Sequence, residues 1–270
     1  MSNVLLTFDF EPEWSIVGRN IHDSLWAKKF GSIGSQLDWF LDQCNEKNIK
    51  TTIFVVSKIA KHYKTLLREA LDHGHEIASH SHTHVDLFGL ELSSLRFEII
   101  HSKELLQDLL GVQILGFRAP RFRLCDRGLD IVNEAGYKYD SSFISEKYTP
   151  YDQENVSVEY LRPGLAELPF KKHKIFSKNI SILGGGYFRL TPKTFLSQID
   201  MGTYSMFYVH AHDFNSFTPF YSHMTLKDFI LRNLRSSSTK SKVKSFFSRK
   251  DINFVNCKDY LSSEILEFGH

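Results

Sequence analysis

Ser79-His80-Ser81-His82-Thr83-His84 places three imidazoles within five residues, directly after the apolar-tending run Glu76-Ile77-Ala78. His80 and His84 stand four apart, so one helical turn would set both on the same face with about 5–6 Å between Cβ atoms. Neutral imidazoles converging on one point are what a borderline divalent ion such as zinc requires. A solvated, His-rich loop is the competing reading of an HxxxH taken alone. Its place in the chain bears on the choice. Gly74 stops the preceding helix and His75 to Ser79 reads as a strand, so the cluster is delivered to a strand's C-terminal end.

Upstream, Val4 to Phe10 (VLLTFDF) is a short apolar, β-favouring run with Asp9 near its end. A carboxylate at the exit of a buried strand is costly unless it is paired or faces a cleft. Glu11 and Glu13 follow around the turn-favouring Pro12, and three acids so close repel one another unless a cation relieves them; a solvated turn is the alternative. Residues 14–32, with Trp14 and Trp26, have no clear periodicity and read as a long loop. Ser32 to Asn48 has helical spacing (Ile33, Leu37, Phe40, Leu41, Cys44), Thr51 to Val56 is a β run, and Ser57 is a plausible N-cap for a helix through Leu71. Downstream come a helix over 91–110, a strand from Val112 to Phe117 ending at Arg118-Ala119-Pro120-Arg121-Phe122, a helix from Asp126 stopped by Gly136, and strand-like Tyr137 to Ser142.

Strand and helix thus alternate at intervals of roughly 25–35 residues, the pattern of a parallel α/β fold, open or barrelled. Chemistry in such folds gathers at the C-terminal ends of the strands. Asp9, His80, His84, Arg118 and Asp140 all fall at or just past such ends. Residues 145–190 are less regular, with a strand at Leu165 to Phe170 and a glycine-rich turn at Gly184-Gly185-Gly186-Tyr187-Phe188. No GK[ST] follows, which argues against a phosphate-binding loop; close backbone approach to a substrate, or a plain tight turn, fits better. Met206 to His210 is the last strong strand and runs into His210-Ala211-His212-Asp213-Phe214. A helix over 226–234, a basic Ser/Lys-rich linker over 235–250, a strand at Ile252 to Val255 and a closing helix complete one domain spanning 1–270.

Composition sets few further limits. The 270 residues are 42% hydrophobic and 24% charged, and 23 Phe with 11 Tyr suit a thick core or a substrate groove. A net charge of +2 gives no global sign of nucleic-acid binding. Cys44, Cys125 and Cys257 are widely spaced and odd in number, which favours a reducing compartment over a disulfide framework. The first residues lack a basic region followed by a long apolar one, and the expected location is cytoplasmic.

Taken together, TFDFEPEW at 7–14, HSHTH at 80–84, RAPRF at 118–122, YDSS at 139–142 and VHAHDF at 209–214 resemble, in the same order, the motifs of the polysaccharide deacetylase family, the NodB-homology or carbohydrate esterase 4 group. GGGYFRL at 184–190 and NFVNCKDYL at 253–261 resemble the subgroup associated with bacterial surface-glycan biosynthesis. The resemblance implies a distorted (β/α) barrel of about seven parallel strands that hydrolyses an N-acyl group from an amino sugar with one divalent metal, zinc first, then nickel, cobalt or manganese. It implies His80 and His84 as imidazole ligands, Asp9 as catalytic base, Arg118 as the residue orienting that base, His210 as catalytic acid, and Asp140 as the acidic partner of that histidine. The usual pair of adjacent aspartates is absent, because Phe10 follows Asp9. Glu11 is the expected acidic ligand, since residues two apart leave a strand on the same side; Glu13 is the fallback.

Several residues keep two readings. His82 is expected to be solvent-facing or supportive rather than a ligand, while His212 and Asp213 compete with His210. Phe122, Tyr187 and Phe188 are candidates for stacking on a sugar or for the core. Lys240, Lys242, Lys244, Arg249 and Lys250 belong either to a solvated linker and helix face or to a contact with an anionic membrane or a lipid-linked sugar. The expected partner is a glycan or amino sugar, nucleotide- or lipid-linked forms included, and not nucleic acid. Against N-deacylation stand hydrolysis of a small cyclic amide or ureide on the same fold, and a degenerate module that binds carbohydrate without chemistry.

Overall fold

Val4 to Phe10 has no solvated face: every side chain in the run is buried, as in a strand covered on both sides. A computed structural model describes residues 1–12, 32–143, 159–175, 178–218, 220 and 225–268. In it this run belongs to β1 (Ser2–Phe10), and the further strands are β2 (Thr52–Val55), β3 (Glu76–Ser79), β4 (Gly116–Phe117), β5 (Tyr139–Asp140), β6 (Glu159–Arg162), β7 (Leu165–Glu167), β8 (His173–Ile175), β9 (Lys178–Ile180), β10 (Tyr204–His210) and β11 (Ile252–Val255). Seven of them run parallel in the order β10-β1-β2-β3-β4-β5-β7, curled with helices outside, and β6 adds an antiparallel edge. This is the distorted (β/α) barrel. Asp9 lies level with His210 on β10 and with Phe54 on β2.

The two faces of β1 divide the work by strand alternation. Leu6, Phe8 and Phe10 are fully buried, and the rings of Phe8 and Phe10 meet Phe40 of the helix Ile33–Glu46 at 5.0 Å and Tyr63 at 5.0 Å. Thr7 and Asp9 turn the other way, towards a guanidinium inside the barrel. β10 alternates likewise: Phe207 faces the helical layer, while Met206 touches the same guanidinium. Strands from both halves of the chain therefore share one sheet, and β11 pairs with β1 beside β2.

Three local expectations fail. Residues 80–84 form no helix, because Ser81 and His84 both take left-handed backbone angles, each with φ 61°. Residues 235–250 are not a linker: Ser236–Ser238 is a 3-10 turn and Thr239–Phe246 a helix that buries Val243, Phe246 and Phe247. Those three apolar residues at i, i+3 and i+4 form a core-facing stripe among the lysines. Lys242 is itself buried and donates to the backbone oxygens of Arg189 and Thr191. The glycine run is not a plain turn either, since Gly185–Leu190 is a short helix.

Candidate active site

Three donor atoms meet where β1 and β3 end. Glu11, His80 and His84 are all buried, and one ligand atom from each lies within 4.8 Å of the others. The Glu11 Oε2 is 3.6 Å from His80 Nε2 and in direct contact with His84 Nε2. The Nδ1 of His80 is bonded to the backbone oxygen of Arg118 at 2.8 Å, which turns its Nε2 towards Glu11. Burial alone would raise the Glu11 carboxyl, but His84 and His80, with the more distant charge of His210, hold it well below the usual carboxylate range. Two imidazoles and an ionised carboxylate converging in a buried spot fit a divalent ion. Glu13 lies outside the described residues, as do Trp14 and Trp26.

The left-handed turns at Ser81 and His84 need outside support, since each costs about 1–3 kcal/mol in a non-glycine residue. Glu98 supplies it. Its carboxylate accepts from the backbone nitrogens of His82 at 3.0 Å and Thr83 at 2.8 Å, and from the Thr83 hydroxyl. Glu98 sits in a π-helical turn, Phe97–His101, a distortion common beside functional sites. His82 is not among the clustered ligands: its ring bonds Ser57 Oγ at 2.9 Å and packs on Phe97 and His101.

Arg118 is the central buried cation. Its Nη1 donates to Asp9 Oδ1 at 2.6 Å and to Thr7 Oγ1 at 3.0 Å, its Nη2 to Ser141 Oγ at 3.0 Å, and its carbon lies 3.9 Å from the centre of the Phe54 ring. Removing it would strand the Asp9 carboxylate. Arg118→Ala is therefore expected to lower stability by about 3–5 kcal/mol in chemical denaturation.

Opposite stands His210. Its Nε2 is 3.8 Å from Asp9 Oδ2, and its Nδ1 is 3.1 Å from Asp213 Oδ2. Burial disfavours the imidazolium, but the bond to Asp213 and the charges of Glu11, Asp213 and Asp9 outweigh it and raise the pKa to about 9. Burial likewise resists ionisation of Asp213, yet His212, His210 and Arg189 hold it far below the usual range. Arg189 Nη1 donates to Asp213 Oδ1 at 3.1 Å. Burial pushes His212 down to about 3, so it stays neutral. Gly185 explains part of the glycine run: a Cβ there would lie 3.3 Å from the His210 ring.

Asp140 is not the partner of His210; Asp213 is. In the strand order β5 and β10 have β1, β2, β3 and β4 between them. Asp140 instead accepts from Ser142 Oγ at 2.6 Å and from the Ser142 nitrogen at 3.1 Å, and sits level with Glu167. Burial raises both carboxyls, and the Asp140 charge raises Glu167 further. Phe188 is also displaced from its expected role. It is fully buried against Phe207 at 4.7 Å and Phe246 at 5.7 Å, on the helical side of β10. Phe188→Ala is expected to cost about 3–5 kcal/mol with little change in KM, checked by unfolding and kinetics together. Tyr187 is 57% exposed, whereas Phe122 is 8% exposed, edge-on to Tyr208 and 5.0 Å from the Arg118 guanidinium.

A curled parallel sheet with an imidazole–carboxylate cluster and a buttressed Asp–His pair at its strand ends defines a barrel protein with a catalytic-type centre at those ends. Residues 2–139 match the model of the polysaccharide deacetylase family, and 142–262 match a domain of unknown function, DUF3473. The chain belongs to the polysaccharide deacetylase family. It is 27% identical over 85 residues to the peptidoglycan deacetylase of Helicobacter pylori, across 32% of this chain and 29% of that one. It is 25% identical over 97 residues to the peptidoglycan-N-acetylglucosamine deacetylase of Bacillus cereus, across 36% of this chain and 35% of that one. The aligned stretch thus spans about a third of each relative's length. The fold is shared with a Mycobacterium smegmatis protein assigned to the polysaccharide deacetylases, with TM-score 0.67, 20% identity, and coverage of 98% of this chain and 91% of that one.

Proposed function

We propose that the protein is a metal-dependent hydrolase that removes an N-acyl group, acetyl or formyl, from an amino sugar during surface-polysaccharide or lipopolysaccharide assembly. The observation that carries this reading is the facing pair: the Glu11–His80–His84 cluster on one side, and Asp9 with His210 Nε2 at 3.8 Å beside it. The two peptidoglycan deacetylases are named for the same kind of bond. The assembly role rests on the likeness of GGGYFRL and NFVNCKDYL to the glycan-biosynthesis subgroup.

Glu11, His80 and His84 would hold the ion. A divalent ion there, zinc by preference for this donor set, supplies Lewis acidity towards a carbonyl oxygen and acidifies water. Arg118 occupies Asp9 Oδ1, so the other oxygen faces the reacting centre and can take a proton from the attacking water. Asp213 holds His210 by Nδ1, leaving Nε2 to donate a proton to the departing amine nitrogen as the C–N bond breaks. The raised pKa keeps that proton in place at neutral pH.

The test is amine release from N-acetylated and N-formylated amino sugars, free, polymeric and nucleotide-linked, by chelated protein reloaded with zinc, nickel, cobalt or manganese. Metal-dependent release supports the reading. Turnover of cyclic ureides without any sugar substrate replaces it with the small-amide hydrolase, and failure to bind metal or turn over any amide leaves a carbohydrate-binding module.

A further inference from the structure

The stretch after the catalytic-type strand is unlike the rest of the surface. From Phe214 to Lys250 there are eight Lys or Arg against one acid, although the whole chain carries only +2. The same stretch exposes Phe217 (61%), Phe220 (53%), Leu226 (67%), Ile230 (54%) and Leu234 (49%). Leu226, Ile230 and Leu234 follow one another at i, i+4 and i+8, which sets them in one stripe along the helix Leu226–Asn233 and the residue after it. Lys227 and Arg235, both exposed, stand at the two ends of that stripe. Large exposed apolar groups in a cluster mark an interaction surface.

We infer that residues 225–235, with Phe217 and Phe220, dock the protein on an anionic lipid surface, with the apolar stripe entering the interface and Lys227 and Arg235 meeting lipid headgroups. An apolar stripe bracketed by cations is the pattern of an interfacial helix. A second copy of the chain is the poorer partner, because a two-fold contact would face this cationic stretch with itself. Among the described residues no helix is long and apolar enough to cross a membrane, so the contact is peripheral. The helix is tied to the candidate active site: Arg189 donates to the Leu231 carbonyl at 2.7 Å and, through its other nitrogen, to Asp213 behind His210. Asn233 also bonds the Thr218 nitrogen at 2.8 Å, joining the helix to the segment that leaves His210. Docking therefore seats the candidate active site beside the lipid surface.

Vesicle flotation reads this without any turnover, so its outcome is separate from that of the hydrolase reading. The full chain is expected to float with phosphatidylcholine vesicles containing a quarter phosphatidylglycerol, and far less with phosphatidylcholine alone. The pair Ile230→Ser and Leu234→Ser should weaken partition at least about tenfold, as should Lys227→Glu with Arg235→Glu. The charge pair lies at exposed positions, Arg235 giving one bond to the Leu190 carbonyl at 3.0 Å, and keeps the test decisive if the apolar pair misfolds. Absence of wild-type flotation on anionic vesicles overturns the inference. So does undiminished binding by the folded apolar pair, or a wild-type dimer in light scattering that becomes a monomer in that variant.

Discussion

Replacing Glu11 with glutamine is expected to weaken binding of a divalent ion on the order of 10³-fold, beyond the 10–100-fold typical of residues that only support a ligand. The substitution keeps the size of a side chain that is 3% exposed and already touches both imidazoles, and removes only its charge. That charge is what the site has arranged, since the histidines keep the carboxyl ionised against the effect of burial. The readout is direct: zinc titration of chelated protein, and thermal unfolding with and without the ion. Wild-type protein at 100 times Kd gains about 2.7 kcal/mol from binding, a gain that Glu11→Gln should lose. Activity should fall in parallel and return with excess ion if the site is only weakened. Affinity within threefold of wild type would remove Glu11 from the ligand set and leave Glu13 as the acid to test.

How far the chain discloses this centre depends on what kind of pattern carries each residue. VLLTFDF and MFYVH announce buried strands by continuous apolar runs, and the parallel sheet follows from their spacing with the intervening helices. His80, His84, Asp9 and Arg118 were legible because each sits where a strand stops, and the barrel places strand ends together. Glu11 was legible from alternation along β1. Other features depend on contacts between segments far apart in the sequence. The left-handed angles at Ser81 and His84 replace the helix that HxxxH suggests, and they are held by Glu98, some fifteen residues away with no motif of its own. Asp140 ends β5 and Asp213 follows β10, and both lie near the right chemistry in sequence order. Only the order of strands separates them. Phe188 and Tyr187 are neighbours of one type, and the facing of one short helix sends the first into the core and the second to solvent. The Ser/Lys-rich stretch reads as a linker because its mean polarity conceals Val243, Phe246 and Phe247, whose spacing is the informative feature.

Asp213 offers the sharpest separation of a chemical role from a structural one. Its Oδ2 accepts from the His210 backbone nitrogen at 3.0 Å and lies 3.1 Å from His210 Nδ1, while its Oδ1 takes Arg189. Asp213→Asn removes the charge that sustains the imidazolium, so the His210 pKa should fall from about 9 towards or below its ordinary 6.5. The sign follows from the role proposed for His210. A proton donor is active when protonated, so the alkaline limb of kcat against pH should move to lower pH; with the pKa returned to 6.5 the protonated fraction at pH 8 falls from about nine-tenths to about 3%, and the rate should drop roughly 30-fold. The same raised pKa stabilises the fold. That contribution is complete below the unfolded value of 6.5 and disappears as pH rises through about 9, so the variant's stability should vary less across this window. Stranding Arg189 will also cost stability, which is why the shape of the profile rather than the size of the loss decides the matter. His210→Asn provides the matching limit: with no proton to give, its alkaline limb should flatten. A Asp213→Asn profile that keeps its alkaline limb in place while losing amplitude would assign Asp213 to structure alone and leave His210 without its proposed part in the reaction.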